Sequence, residues 1–415
     1  MPTPELRDAP GRRPRLLVLN QYYSPGVEAT AQLLGDLCRA LATDMDVTVI
    51  TGSLRGVAAG GERTQDGDVR VIRVRSTAYD RSGLAGRATN YLTYLGQSMR
   101  TALGVEKPDV VLCMTDPPII GNIASIVARR FGAPLIVVSQ DIFPEIAVEL
   151  GRLTNPVIIA ALQRAVRYYL HRADRVVVIG ETMRRRLEAK GVQPDRLQVI
   201  PNWVDTSSLA PAPRDNPWAR DSELVGRFVV MHSGNVGHAQ DLESLVRAST
   251  FLRDLDDLSV AIIGAGARHA RLVALAERVC ADSVRFFDYQ PRELLAQSLS
   301  TASVHVVGLG AGLAGYVVPS RFYGVLAAGR PVIVAAEAES ETAQVVERIG
   351  CGVVVPPGRP DLLAGAIRKA HDGEYDLEEM GRRGREFVVA EADRLVAIGR
   401  YRTLIQELAE RGAPR

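Results

Sequence analysis

The chain has 415 residues, 47% hydrophobic and 24% charged, with a formal net charge of +2; at about 150 residues per domain this allows two or three globular domains with substantial cores. Aromatic residues at 5% are too few for a nucleic-acid binder built on base stacking. Four dispersed cysteines, with no Cys-x-x-Cys pair, exclude a disulfide framework or a zinc knuckle, and no apolar run of about 18 residues offers a membrane-spanning helix.

The opening "MPTPELRDAPGRRPR" has no apolar stretch of the kind a secretory leader needs, and 1–14 reads as a disordered tail. Short apolar, β-branched runs follow at 15–20, 46–52, 69–74, 109–114, 133–139, 175–180 and 197–202. Helical patterns such as 29–42 and 121–132 lie between them. This alternation predicts βαβ units around a parallel sheet, forming one domain over 15–205. The stretch 206–223, rich in Pro, Ser and Asp, reads as a linker. Strand patterns then resume at 227–234, 258–266, 284–289, 303–310, 330–337 and 351–358, giving a second domain over 224–389. From Met380 the pattern is helical and charged, and 390–415 is expected to be a C-terminal helix packing back toward the first domain. The expected fold is therefore α/β, with two doubly wound Rossmann-like parallel-sheet domains facing a central cleft. Ligands in such folds bind outside the carboxyl ends of the strands.

Charge is divided unevenly: 1–205 holds 26 Lys/Arg against 21 Asp/Glu, and 206–415 holds 24 against 27. Much of the excess lies in 152–190, with nine basic and three acidic residues. That segment suits an anionic membrane surface or a diphosphate-bearing acceptor; a solvated helix face is the plainer explanation.

Candidate site residues cluster at predicted strand ends. After the first strand, "NQYYSPGVEATAQ" offers Tyr23, Gly26 and Glu28, the last equally suited to capping a helix. After 133–139 come Gln140 and Asp141, placed where substrate-handling groups sit in a parallel sheet, although Asp141 could simply cap the next turn. In "MHSGNVGHAQDLESL", Gly234, Asn235 and Gly237 precede a helix, an arrangement that brings backbone N–H groups near an anion or merely makes a tight turn. "IIGAGARHA" lacks the last glycine of a dinucleotide fingerprint and reads as a close-packed turn. In "PSRFYGVLAAGRPVI", Ser320 and Arg321 begin a short helix. A cation there opposes the helix dipole at a cost of about 0.3–1 kcal/mol, which a bound anion would offset. A solvated surface arginine is the alternative. Glu341 opens another helix, where an acid suits the dipole or accepts sugar hydroxyls. The Asp-x-Asp pairs Asp44/Asp46 and Asp254/Asp256 precede strands, so neither suits a metal–diphosphate clamp. No phosphate loop or hydrolase signature occurs, and no metal site or bound cofactor is expected.

The segments "YYSPGVEATAQLL", "QDIFPE", "ADRVVVIGETMRRRL", "VIPNWVD", "SGNVGHAQDLESL", "PSRFYGVLAAGRPVI" and "GCGVVVPPG", in this order, resemble the retaining glycosyltransferases of family 4, of GT-B fold, and most of all the subgroup that builds bacterial surface polysaccharides. The resemblance covers nearly the whole chain after Arg15. It implies a nucleotide-diphosphate-sugar donor in the second domain, with the diphosphate at Gly234, Asn235, Gly237 and Ser320–Arg321, base and ribose near Tyr289 and Gln290, and Glu341 near the donor. It places the acceptor, lipid-linked or small, near Tyr23, Gly26, Glu28, Gln140 and Asp141. Catalytic roles fall to Asp141, Glu28 and Arg321, with retention and without a metal. The usual pair of glutamates about eight residues apart is replaced by Gly315 or Tyr316 and by Gly324. A cytoplasmic location is expected, with peripheral contact at the inner face of the membrane. Two rivals stand beside transfer: a nucleotide-sugar epimerase of the same architecture, and an inactive partner subunit.

Overall fold

The computed structural model describes residues 12–26, 29–53, 62–75 and 84–412. Eight strands form the first sheet: β1 (Arg15–Leu19), β2 (Asp46–Thr51), β3 (Glu62–Asp66), β4 (Val69–Arg73), β5 (Val110–Cys113), β6 (Leu135–Ser139), β7 (Arg175–Val178) and β8 (Leu197–Val199). Their spatial order is β3-β4-β2-β1-β5-β6-β7-β8. Only β3–β4 is antiparallel. The connecting helices are α1 (Ala29–Leu41), α2 (Leu84–Ala102), α3 (Ile120–Phe131), α4 (Glu145–Glu149), α5 (Pro156–Arg172) and α6 (Glu181–Ala189). The central strands are buried at every position, as in "VVLC" and "LIVVS", because helices cover both faces. Helix ends follow local chemistry. Asn155 accepts from the N–H groups of Val157 and Ile158 to start α5, with Pro156 in its first turn.

The polar strand β3 lies outside the sequence expectation. "ERTQD" has no apolar alternation, and its formation is tied to the Asp66–Gly67–Asp68 turn, where Gly67 takes φ 61°.

The second unit comprises α7 (Pro217–Asp221), β9 (Phe228–Ser233), α8 (Leu242–Ser249), β10 (Leu258–Ile263), α9 (His269–Arg278), β11 (Val284–Phe287), α10 (Leu295–Thr301), β12 (Val304–Gly308), α11 (Arg321–Ala327), β13 (Val332–Ala335), α12 (Glu341–Ile349), β14 (Gly352–Val355) and α13 (Pro360–His371). Its all-parallel sheet runs β11-β10-β9-β12-β13-β14. The segment 206–223 is packed rather than loose: Trp218 of α7 is buried with Leu224, Met231 and Ile263.

The helical stretch from Met380 consists of two helices, α14 (Leu377–Glu391) and α15 (Arg394–Gly412), the second lying within the expected C-terminal helix 390–415. At the break, Asp393 accepts from Leu395 N at 2.7 Å and from Thr206 Oγ1 at 2.5 Å. Val204 donates its N–H to Ala392 O and accepts from Arg394 N at 2.9 Å. Helix α15 then returns to the first domain and buries Ile398, Tyr401 and Ile405 against Leu16, Leu34 and Leu41. Of the expected tail 1–14, residues 1–11 lie outside the described residues, as does Glu28; Arg12 is placed, donating to Asp109 Oδ1 at 2.6 Å.

Candidate active site between the domains

In a doubly wound sheet the strand order reverses beside the first strand, and ligands bind there. In the second domain this point lies between β9 and β12. The loop after β9 is clasped by the loop after β10: Gly234 N donates to Ile263 O and Val236 N to Ala265 O, both at 2.9 Å. A Cβ on Gly264, at φ 127°, would lie 2.1 Å from Gly234 O, so "GAG" is a backbone-to-backbone packing turn. Gly237 N donates to Gln240 Oε1 at 3.0 Å. Three amides of the Gly234–Gly237 loop are thus already engaged, and the positive charge of this corner comes from a side chain.

That side chain is Arg321, the first residue of α11 after the N-cap Ser320. Its guanidinium runs alongside Gly234, whose added Cβ would stand 3.8 Å from Arg321 Nε. Arg321 Nη1 lies 3.0 Å from His232 Nε2 and 3.2 Å from Nδ1. Burial pushes Arg321 down to about 10. Burial, then the adjacent guanidinium, hold His232 well below its ordinary value, so the neutral imidazole accepts a hydrogen bond from Arg321. Among the described residues no carboxylate pairs with Arg321. A desolvated cation without a counter-charge is costly, and the geometry favours an anion there.

Across the cleft the N-terminal half is polar. Thr115 Oγ1 donates to Asp141 Oδ1 at 3.1 Å, and Ser139 Oγ donates to Asp141 O at 3.0 Å. Burial first, and then the nearby Asp116, raise the Asp141 carboxyl to about 7 against a weaker lowering by Thr115. Asn202 Nδ2 donates to Gln140 Oε1 at 3.0 Å. That leaves the buried Gln140 Nε2 and Asn202 Oδ1, a donor and an acceptor, without partners among the described residues.

The two halves touch. Asp141 bridges Val317, and Ile142 N donates to Tyr316 O at 2.9 Å, four to five residues before Arg321. Arg186 of α6 donates from Nη2 to Ala314 O at 2.8 Å and stacks 4.1 Å from the Tyr316 ring. Glu341 caps α6 from the opposite domain, its Oε2 accepting from Thr182 N at 2.9 Å and Thr182 Oγ1 at 3.0 Å. Gly180 makes room for this contact. Its φ of −176° is ordinary extended backbone, but an added Cβ would fall 2.5 Å from the Glu341 carboxyl. Gly180→Ala is therefore expected to expel the carboxylate and loosen the closed arrangement while leaving both domains folded. Small-angle scattering of the ligand-free protein should show a larger radius of gyration, and an unchanged profile would refute the latch.

Other candidates are placed as follows. Gln290 Oε1 accepts from Trp218 Nε1 at 2.8 Å, and Tyr289 beside it is 59% exposed past the carboxyl end of β11. Gly26 N closes a turn on Tyr23 O at 3.0 Å. The Tyr23 ring is buried in the first domain's core and its hydroxyl is bound to Asp66 at 3.1 Å, away from any acceptor role. The glutamate-pair positions of the resemblance are filled differently: Tyr316 faces Arg186, and Gly324 lies against Leu209 and Leu299. Sequence reasoning missed His232, Thr115 and Asn202. The Thr-Asp following strand 109–114 and the Asn of "VIPNWVD" were the available signals for two of them; for His232 there was none.

Two doubly wound Rossmann-like domains facing each other across a cleft are the architecture of the GT-B glycosyltransferases. The glycosyl transferase 4-like domain matches residues 26–203 and the glycosyl transferases group 1 domain matches 217–387. The chain belongs to the family-4 type of these enzymes. It is 30% identical over 292 residues to the glycosyltransferase WbjE of Pseudomonas aeruginosa, spanning 68% of this chain and 71% of that one. It is 31% identical over 205 residues to the colanic acid biosynthesis glycosyl transferase WcaI of Escherichia coli K12, spanning 48% and 50%. Anabaena HepE, solved with UDP, shares the fold at TM-score 0.73 and 14% identity, covering 95% of this chain and all of HepE.

Proposed function

We propose that this glycosyltransferase moves a sugar from a nucleotide-diphosphate sugar to an acceptor hydroxyl, with retention and without a metal, in the making of a cell-surface polysaccharide or glycoconjugate. The observation that carries the donor class is the desolvated Arg321 guanidinium, which has no carboxylate partner among the described residues. The complexes of HepE with UDP and with UDP-glucose support the same class, and the colanic acid role given to WcaI supports the polysaccharide setting.

In this reading the diphosphate lies against Arg321 and Gly234, beside Asn235, Gly237 and Ser320. Tyr289 and Gln290 flank the base, and Glu341 exchanges Thr182 for donor hydroxyls. The acceptor, lipid-linked or small, enters between Gly26 and Asp141, with Gln140 and the sequence candidate Glu28 beside it. Asp141 accepts the hydrogen bond of the attacking hydroxyl. The bond from the anomeric carbon to the diphosphate oxygen breaks as the acceptor oxygen bonds on the same face. The acceptor proton passes to the leaving diphosphate, whose growing charge Arg321 stabilises. Among the described residues no helix is long and apolar enough to cross a membrane.

Incubation with UDP-, GDP-, dTDP- and ADP-sugars, with and without EDTA, tests this. Acceptor-dependent release of a nucleoside diphosphate, unchanged by EDTA, is expected. Interconversion of the sugar without release would establish the epimerase, and no reaction with any donor the inactive partner subunit. Complete loss on chelation, restored by Mg²⁺ or Mn²⁺, would overturn the metal-free step.

A further inference from the structure

Strand β9, "FVVMHS", is apolar at every interior position except His232. That residue is fully buried beside Ile262 of β10, in the middle of a parallel sheet whose strands are otherwise runs of Val, Ile and Leu. A polar ring in such a place is costly unless it is partnered. This one is anchored on two sides. The backbone groups of Val306 on β12 and of Asn235 in the Gly234–Gly237 loop lie in hydrogen-bonding reach of it. Its side-chain partner is Arg321.

Among the described residues, His232 is the only group that the Arg321 side chain hydrogen-bonds. An arginine side chain has many rotamers, and nothing else here fixes its far end. Other half-buried arginines of the second domain are held differently. Arg330 donates to Ala212 O at 2.9 Å, and Arg385 donates to Ala327 O at 2.7 Å and Thr206 O at 2.8 Å. These two spend their donors stapling the chain. A carboxylate in place of His232 would fix Arg321 as well, but would cancel its charge. The imidazole, kept neutral by burial and by the guanidinium itself, leaves both the charge and most of the five N–H donors for a ligand.

We propose that His232 is the positioning residue of the donor site, holding the Arg321 guanidinium beside Gly234 in readiness for the diphosphate without neutralising it. This rests on the reading of Arg321 as the diphosphate ligand and adds how that ligand is kept in place. Fixing a long side chain before the nucleotide arrives removes an ordering cost from binding. A preset cation also needs no rearrangement as charge grows on the leaving group. His232 acts through Arg321 alone.

Three substitutions separate this role from packing. Titration calorimetry of the full chain with UDP, GDP, dTDP and ADP identifies the nucleotide that the parent binds most tightly, and that nucleotide is the probe. His232→Gln keeps a neutral acceptor and should stay within about twofold of the parent. His232→Leu frees the guanidinium and should weaken binding about 3- to 10-fold, the cost of ordering one long side chain. His232→Asp pairs with Arg321 and should weaken binding about 10- to 150-fold, as far as loss of Arg321 itself. Its ligand-free melting temperature should nevertheless stay at or above that of the leucine variant. In the Arg321→Ala background, His232→Leu should change affinity by less than about twofold, because the residue it serves is gone. Should the leucine variant fail to fold, the contrast between glutamine and aspartate decides. Parent-like affinity in the leucine and aspartate variants, an undiminished loss from His232→Leu in the Arg321→Ala background, or losses that follow melting temperature across the three variants would each overturn the proposal and leave the donor reading standing. Failure of the parent to bind any of the four nucleotides would overturn both.

Discussion

Arg321→Ala should weaken nucleotide binding about 10- to 150-fold, the equivalent of about 1.5–3 kcal/mol for a charge-assisted contact, without lowering the melting temperature of the ligand-free protein. The two halves of this expectation share one cause. Arg321 is desolvated and faces only a neutral His232, so in the free protein its charge is a liability. In addition it opens α11 against the helix dipole. Alanine removes that cost, and the melting temperature should hold or rise slightly. If diphosphate charge grows as the sugar–oxygen bond breaks, kcat falls along with affinity. Arg321→Lys should restore only part of both, because an ammonium lacks the planar fork. Isothermal titration with nucleoside diphosphates, paired with apo melting curves, is the measurement. Normal affinity and turnover in the alanine variant would remove Arg321 from the donor site.

Asp141→Asn should lower turnover about 10- to 150-fold, the equivalent of about 1.5–3 kcal/mol for a charge-assisted hydrogen bond to the attacking hydroxyl, while raising ligand-free stability at pH 8. The Asp141 carboxyl is raised to about 7 by burial and by Asp116. Between roughly pH 4 and 7 the folded protein therefore keeps a proton that the unfolded chain has released. Stability is greatest below the ordinary carboxylate range and is lost as pH rises through about 7, at about 1.4 kcal/mol per pH unit. Asparagine abolishes that slope: the variant should melt above the parent at pH 8 and converge with it near pH 4. His232 acts in the other direction. Its lowered value makes stability fully present above its ordinary value of about 6.5, and lost below it as the unfolded chain takes up a proton the folded one refuses. It is unaffected by the substitution, so the difference between the two melting curves isolates Asp141. In the parent enzyme the acidic limb of the kcat/KM profile, which reports the free enzyme, should turn near pH 7. A wild-type rate in the asparagine variant would refute the assignment.

The sequence made much of this site readable because its chemistry is local. Alternating apolar runs specify βαβ units from short-range pattern alone, and Arg321 stood out because one cation was misplaced relative to one helix dipole. Strand β3 was not readable, since "ERTQD" owes its strand conformation to its partner rather than to its own side chains. The C-terminal helix was expected from 390 and begins at Arg394; what "VVAEADRLVAI" does not show is how the break is held, because the groups that fix it, Val204 and Thr206, lie far away in the chain. Glu341 was read as a donor ligand or a first-turn acid. Its contact with Thr182 of the other domain depends on how two independently patterned units come together, which no local pattern encodes. Tyr23 failed in another way: a tyrosine beside a Pro-Gly turn looks available, and only the packing of its ring against α1 and the placement of Asp66 show that it is not.

The return of α15 to the first domain has a consequence for how the molecule is made. Ile398, Tyr401 and Ile405 fill the core that begins with Leu16 and Leu34, so the first domain is assembled from two pieces of chain separated by all of the second. On a ribosome, the second domain has its whole sequence available before α15 emerges. The domain begun first is thus completed last. Until then, the part of this apolar cluster that α1 does not cover waits exposed, a surface open to chaperones or to other nascent chains. A fragment cut within 206–223 keeps that part exposed permanently, whereas one that joins 15–203 to 394–412 closes it. The two chain crossings lie side by side, paired through Val204 and Asp393, and two parallel tethers at one point leave the domains a single axis about which to turn.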